Sequence, residues 1–292
     1  MRMLGVALSA VLAIPAGVVL ADETPTIDKI IERGEIVIGH RPASPPFGFI
    51  AADGTVTGYS VEICKYLAEE IKVALGHPEL KTVFVPVDAA NRVPLVQNGT
   101  IDLECAGTGN TAERQKVVSF LYNTMYTDTR IMVRRDSGIK LLADLKGKRV
   151  AVPQGAVQQK MIDEISTANG LDITPVMSKD AGDTFRLLDT GRADAAIHVP
   201  MELLPFSSKS ATPDGFAFIE DWSAPPEQIS IMIAKGDEKF RETANAALKG
   251  MMDNGKFEEN YNAWFLVPPY NLPMPEALRN QIANPNDKPI GG

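Results

Sequence analysis

Residues 98–120 read NGTIDLECAGTGNTAERQKVVSF. Asn98 and Gly99 make a turn, and the apolar run IDLECAG that follows reads as a buried strand. Small and hydroxylated residues come next, until Thr111 offers a helix N-cap and Glu113 and Arg114 fall in the first turn. A strand thus runs through a small-residue loop into a helix. Upstream, EIVIGH (35–40) and KTVFVPV (81–87) are further strands. Between them SVEICKYLAEEIKVALG (60–76) carries apolar residues at 63, 67, 71 and 75, a helical stripe. ANRVPLVQNG is a short helix ending at Gly99, and a helix over 27–33 ends at Gly34. DGTVTGYS reads as a hairpin-like turn. This alternation is the grammar of an α/β fold with a mostly parallel sheet.

The next section repeats it. TRIMVRR (129–135), RVAVP and DITPVMS read as strands, and ADAAIHV as another. Helices lie between them, one after the Gly155 turn and one closed by Gly191. The pattern describes two similar α/β lobes. QISIMIAKGDEKFRETANAALKGMMDNGKFEENYNAWF closes the chain as a strand and two helices. The tail after Val267, rich in proline and asparagine, reads as extended over the surface.

The chain has 292 residues, 45% of them hydrophobic, enough for two domains with their own cores. Residues 1–21 read as a secretory signal peptide: Arg2, an apolar run, and Val19-Leu20-Ala21 as a small-x-small cleavage site. Pro15 and Gly17 interrupt the run and nothing basic follows it, which argues against a retained membrane anchor. Removing this segment, whose one charge is Arg2, takes the formal net charge from -8 to -9. An acidic exported chain is a poor partner for nucleic acid or an anionic membrane. Cys64 and Cys105 each lie in an apolar stretch and read as core; export permits a bond between them without requiring one. The three histidines, His40, His77 and His198, lack metal-ligand spacing, and no cofactor is called for.

Three arginines stand at the ends of such elements. A cation in a helix's first turn opposes the dipole, so Arg114 costs a little where it is. Its guanidinium beside helix-end N–H groups suits a carboxylate, which it can hold bidentately. An arginine on a solvated helix face is the plain alternative. Arg41 follows a buried strand at the sheet edge where α/β ligands bind, and Arg92 opens a short helix after a strand. Gly155, between a strand and a helix start, fits an anion cradle or an ordinary turn equally. There is no Gly-x-Ser-x-Gly, no helical His pair and no nucleophile with a base. His198 reads as a packed strand-end histidine, and Asp183, Asp194 and Glu104 as structural or rim carboxylates.

Together GEIVIGHRPASPPFGFIAADGTVTGYSVEIC, ANRVPLVQNGTIDLECAGTGNTAERQKVVSF, LADLKGKRVAVPQGA, DTGRADAAI and NGKFEENYNAWF resemble the periplasmic amino-acid-binding proteins of ABC importers, family 3. GHR, NRVPLVQNGT, ERQK and PNDK resemble its glutamate/aspartate-binding branch in particular. The resemblance spans essentially the whole mature chain. It implies a two-lobed, type II periplasmic-binding-protein fold, each lobe a mostly parallel sheet flanked by helices, with two hinge strands. Lobe 1 would be residues 22–128 with 228–292, lobe 2 residues 129–227. It implies a monomer in the periplasm that binds an amino acid or related small carboxylate by hinge closure and delivers it to an inner-membrane ABC permease. It maps the α-carboxylate arginine onto Arg114 and the branch's further arginines onto Arg41 and Arg92. Backbone near Gly107, Thr108 and Gly109, and near Gly155, Ala156 and Val157, would complete the cradle.

The chain departs from that pattern. Gly107 and Gly109 stand where the branch usually has Ser and Thr, and Ala156 and Val157 where it has a hydroxyl. Ala181 replaces a branch histidine. Val199 occupies the place of the aspartate that meets the ligand's ammonium. A buried ammonium with no counter-charge costs several kcal/mol. Either another carboxylate substitutes, with Glu202 and Glu104 as candidates, or the ligand lacks an α-amino group. Two other functions stay open on the same scaffold. One is an exported dehydratase using His198 or Glu202 as acid; the other is a ligand-sensing module for a membrane receptor.

Overall fold

The computed structural model describes residues 25–289. The signal-peptide reading falls outside them. Among the described residues no helix is long and apolar enough to cross a membrane.

Two sheets organise the chain. In the first the strand order is Lys81–Pro86, Glu35–His40, Leu103–Gly109, Glu227–Ile233, then Ser119–Phe120, with Met125–Thr127 also paired to Glu227–Ile233. The first three strands run parallel and Glu227–Ile233 antiparallel. In the second the order is Thr174–Ser178, Arg149–Pro153, Ala195–His198, Arg130–Arg134, Phe216–Phe218. Again three strands are parallel; Arg130–Arg134 runs antiparallel to them, and Phe216–Phe218 pairs antiparallel with Arg130–Arg134. The similar halves expected from the sequence are therefore two similar sheets. The chain passes from one to the other between Thr127 and Arg130 and returns between Phe218 and Glu227.

Each sheet has its own core. In the first, Ile36 and Ile38 alternate with residues of the opposite face, and Ile63, Leu67 and Ile71 of the helix Tyr59–Leu75 pack on them. Tyr59, Tyr261 and Phe265 form an aromatic knot there. In the second, Val150, Val152 and Ile162 pack on one face and Ala151, Phe185 and Leu188 on the other. Cys64 and Cys105 are joined by a disulfide, Cα atoms 6.3 Å apart, that ties the helix Tyr59–Leu75 to the strand Leu103–Gly109. The core reading of both was right; the bond is an addition to it.

Two readings change. The strand read as ending at Gly107 continues through Thr108 and Gly109, because these pair with Ser230 and Ile229 of the returning strand. The tail is not wholly extended. Glu276–Ala283 is a helix whose Leu278 and Gln281 are buried, and Met274 just before it is buried too. The carbonyls of Asn286, Asp287 and Lys288 then accept hydrogen bonds from Asn123, Asn110 and Gln115. The helix Pro200–Ser207, opened by proline at its first turn, is one that sequence patterning did not anticipate.

Candidate functional site

The parallel strands of both sheets end towards one cavity between them. Arg41 lies just beyond Glu35–His40, and Gly107 and Gly109 close Leu103–Gly109. From the second sheet come Ala156 and Val157, after Arg149–Pro153, and His198 and Val199, at the end of Ala195–His198. These residues line the cavity together with Arg92, Arg114, Gln158, Glu202, Glu227 and Ile229. Eight of the ten residues singled out in the sequence are thus brought together. Thr108 and Gly155 do not line it. The Thr108 hydroxyl instead accepts from Arg92 Nη1 at 2.5 Å, and the Gly155 carbonyl accepts from Arg114 Nη2 at 3.1 Å.

Arg114 is placed by the turn that opens its helix. Thr111 Oγ1 accepts the Arg114 N–H at 3.1 Å, as the N-cap reading requires. Its guanidinium bridges the two sheets, Nη1 donating to the Gly109 carbonyl at 2.9 Å and Nη2 to that of Gly155. Burial pulls its pKa below the usual arginine range, while Glu104 and Glu227 hold it up. The guanidinium therefore stays charged. Beside it opens the 13-residue helix Val157–Asn169, whose N-terminus meets the cavity at Val157 and Gln158. A guanidinium and a helix N-terminus facing one space have the chemistry to hold a carboxylate.

Two glycines fit where other residues would not. Gly107 has φ +69°, and a Cβ on it would lie 2.8 Å from Phe47 Cγ. Gly155 has φ +76°, and a Cβ would lie 2.7 Å from the Ala89 carbonyl oxygen across the cleft. At Gly109 space decides the matter: a Cβ would approach Glu227 Oε2 to 3.0 Å and Arg114 Nη1 to 3.5 Å.

Arg41 and Arg92 are each 3% exposed. Arg41 Nη1 lies 4.0 Å from Glu202 Oε2, and its Nη2 donates to the Lys179 carbonyl at 3.5 Å. Arg92 Nη1 lies 3.8 Å from Glu104 Oε1. The Nε atoms of both arginines, and both Glu104 oxygens, are buried with no hydrogen-bond partner. Glu104 therefore works from behind Arg92 and does not line the cavity.

Sequence reasoning missed four polar or charged groups of the lining or gave them other roles. Glu227 Oε1 accepts from Thr129 Oγ1 at 2.9 Å, and Gln158 Nε2 reaches Thr129 Oγ1 at 2.8 Å and Glu227 Oε1 at 3.4 Å. Burial raises the Glu227 pKa, opposed by Thr129 and Arg114. His198 is a buried strand-end residue, as read, yet it also faces the cavity. Its Nδ1 accepts the Val199 N–H at 2.8 Å, so the neutral ring carries its proton on Nε2. Burial, then Arg41 and Arg92, push its pKa down to about 3. Glu202 projects from the helix Pro200–Ser207 with Oε2 unpartnered, 3.9 Å from His198 Nε2. Burial raises its carboxyl to about 7 against the pull of Arg41 and Arg92. The signal for Glu202 was its spacing, three residues after Val199 at the start of a helix; Glu227 left none, since it opens an ordinary apolar strand.

Among the described residues no cluster of His, Cys, Asp or Glu is arranged to hold a metal ion. Residues 36–267 match the model for "Bacterial extracellular solute-binding proteins, family 3". The chain is 35% identical to the "L-glutamate/L-aspartate-binding protein" of Pseudomonas aeruginosa, over 95% of this chain and 94% of the relative. It is 32% identical to the "Glutamate/aspartate import solute-binding protein" of Escherichia coli, over 96% of each. Among solved structures it resembles the solute receptor for L-cysteine of Neisseria gonorrhoeae: TM-score 0.74, 28% identity, over 87% of this chain and 98% of the other.

Proposed function

This chain belongs to the bacterial extracellular solute-binding proteins of family 3, and we propose that it is the periplasmic binding component of an ABC importer for an amino acid or related small carboxylate. The observation that carries the reading is Arg114. Its guanidinium reaches carbonyls of both lobes and faces the N-terminus of Val157–Asn169 inside a cavity between them. A carboxylate held there touches both halves at once, so binding and closure are one event.

The rest of the lining says what else the ligand carries. Val199 supplies no counter-charge, but Glu227 does: its carboxylate lies beside Gly109 and Arg114, held from the far side by Thr129 and Gln158. We assign the ligand's ammonium to Glu227. Arg41, with Arg92 behind it, takes the distal end of the ligand. Both relatives named above carry glutamate and aspartate in their names, which supports an acidic amino acid as cargo.

Among the described residues, lobe 1 comprises 25–128 with 228–289, and lobe 2 129–227, with hinges at Thr129-Arg130 and Glu227-Gln228; the outer ends of the 22–128 and 228–292 bounds lie outside the described residues. The chain acts as an exported monomer, without turnover, and docks on an inner-membrane permease. Thermal denaturation against amino acids, dicarboxylates and aromatic acids tests this. A ligand at a hundred times its Kd adds roughly 2.7 kcal/mol of stability; no stabilisation by any small carboxylate would sink the reading.

One observation favours a second reading. A dehydratase on this scaffold needs a general acid in the cavity, and the raised Glu202 carboxyl beside His198 is one. Product formation from prephenate, abolished in E202Q, would establish it.

A further inference from the structure

Glu202 is out of place in a pocket for an acidic ligand. It is 2% exposed, and its Oε2 lies 4.0 Å from Arg41 Nη1 and 3.9 Å from His198 Nε2 without bonding to either. Arg41 is the distal guanidinium of the cavity. A second carboxylate on Arg41 would sit within a few ångströms of Glu202, and two ionised carboxylates that close cannot both be accommodated without repulsion. We propose that Glu202 is a specificity gate: ionised, it neutralises Arg41 and admits a ligand with an uncharged distal group; protonated, it frees Arg41 for a second carboxylate. This rests on the functional reading above and names the condition under which a dicarboxylic ligand binds: uptake of one proton.

The groups facing Glu202 leave it as the titrating residue. Burial pulls Arg92 down to about 9, so it is charged at neutral pH, and pushes His198 down to about 3, so its ring is neutral there. Tyr270, whose hydroxyl donates to the Met201 carbonyl, has its pKa raised by burial and by Glu202. The Ser44 hydroxyl beside the carboxyl holds its pKa down a little, although its oxygen makes no full hydrogen bond, and Glu227 raises it with a second negative charge. Of these, Glu202 is the carboxylate that lies 4.0 Å from Arg41, and burial lifts its pKa to about 7. A protonated Glu202 can also donate to the incoming carboxylate.

The sign follows. Affinity for a dicarboxylic ligand is full where Glu202 is protonated and falls as pH rises through 7. A single site at that pKa weakens binding roughly thirtyfold between pH 5.5 and 8.5, while a ligand with a distal amide is insensitive or favoured at the higher pH.

The test is titration calorimetry of the whole mature protein with L-glutamate and L-glutamine, from pH 5.5 to 8.5, in two buffers of different ionisation enthalpy. The expected result is uptake of close to one proton with L-glutamate near pH 8, a steep loss of its affinity above pH 7, and a flat profile for L-glutamine. In E202Q the L-glutamate profile should also become flat. A flat wild-type L-glutamate profile with no proton uptake overturns the gate and needs no variant. So does a pH dependence that survives E202Q, which would belong to Glu227. If neither amino acid nor any other small carboxylate binds at any pH, the functional reading falls and the gate with it.

Discussion

Arg114 lies in a single helical turn, Ala112–Gln115, too short for the dipole cost expected from the sequence; what distinguishes it is where its guanidinium reaches. Replacing it with alanine leaves the fold's core untouched but removes the only guanidinium among the described residues that reaches carbonyls of both lobes. Arg114→Ala should weaken carboxylate binding by roughly a hundredfold or more, as for truncation of a buried charged hydrogen bond, while the Tm without ligand changes little. Calorimetry beside differential scanning measures both. Glu202 gives a pH prediction of its own. Its folded pKa of about 7 lies above the ordinary glutamate value of 4.5. The folded chain therefore holds this proton more tightly than the unfolded one. The stability it contributes is complete below about pH 4.5 and is lost as pH rises through 7, on the order of 3 kcal/mol in all. In E202Q that decline should be missing, so urea unfolding of the ligand-free protein should show a smaller loss between pH 5 and 8 than the wild type does. An equal loss in both proteins would show that Glu202 does not titrate in that range.

At the level of elements, the strands and helices built on strong periodicity were legible: Glu35–His40, Tyr59–Leu75 and Arg149–Pro153 follow directly from apolar spacing and glycine stops. What escaped depended on distant partners. Thr108 and Gly109 look like a loop by composition and become strand only because Ser230 and Ile229, far along the chain, pair with them. Glu276–Ala283 hides among prolines, and it is packing of Leu278 and Met274 on the first lobe that makes it a helix. The arginines of the site could be read from their places at element ends. Glu227 and Gln158 could not, because they come together only through Thr129, where the chain crosses between the sheets. The same holds for the disulfide, which joins residues separated by 41 positions. Closing a loop of that length stabilises by about 4 kcal/mol in the chain-entropy model. Reduction, or the Cys64→Ala/Cys105→Ala double substitution, should lower the Tm by several degrees without changing ligand affinity, because Cys105 points into the core and not the cavity.

At the scale of the whole molecule the two lobes meet at several points around the cavity, and Gly155 is one of them. Its backbone packs on Ala89 with no room for a Cβ, and its carbonyl takes Arg114. Gly155→Ala should hold the lobes apart, reducing affinity at least tenfold and leaving a larger radius of gyration by solution scattering even with ligand; a compact, tightly binding variant would contradict this. Every step of the account, from the helix-end arginine to closure, depends on a small carboxylate sitting between the lobes on Arg114. Titration calorimetry of wild-type protein and Arg114→Ala with L-glutamate, L-aspartate and their amides and decarboxylated analogues tests that most directly. The account predicts one-to-one binding of at least one α-carboxylate ligand by the wild type, lost when the ligand's carboxylate or the arginine is removed. Binding that survives Arg114→Ala unchanged, or no binding of any carboxylate by the wild type, would contradict it.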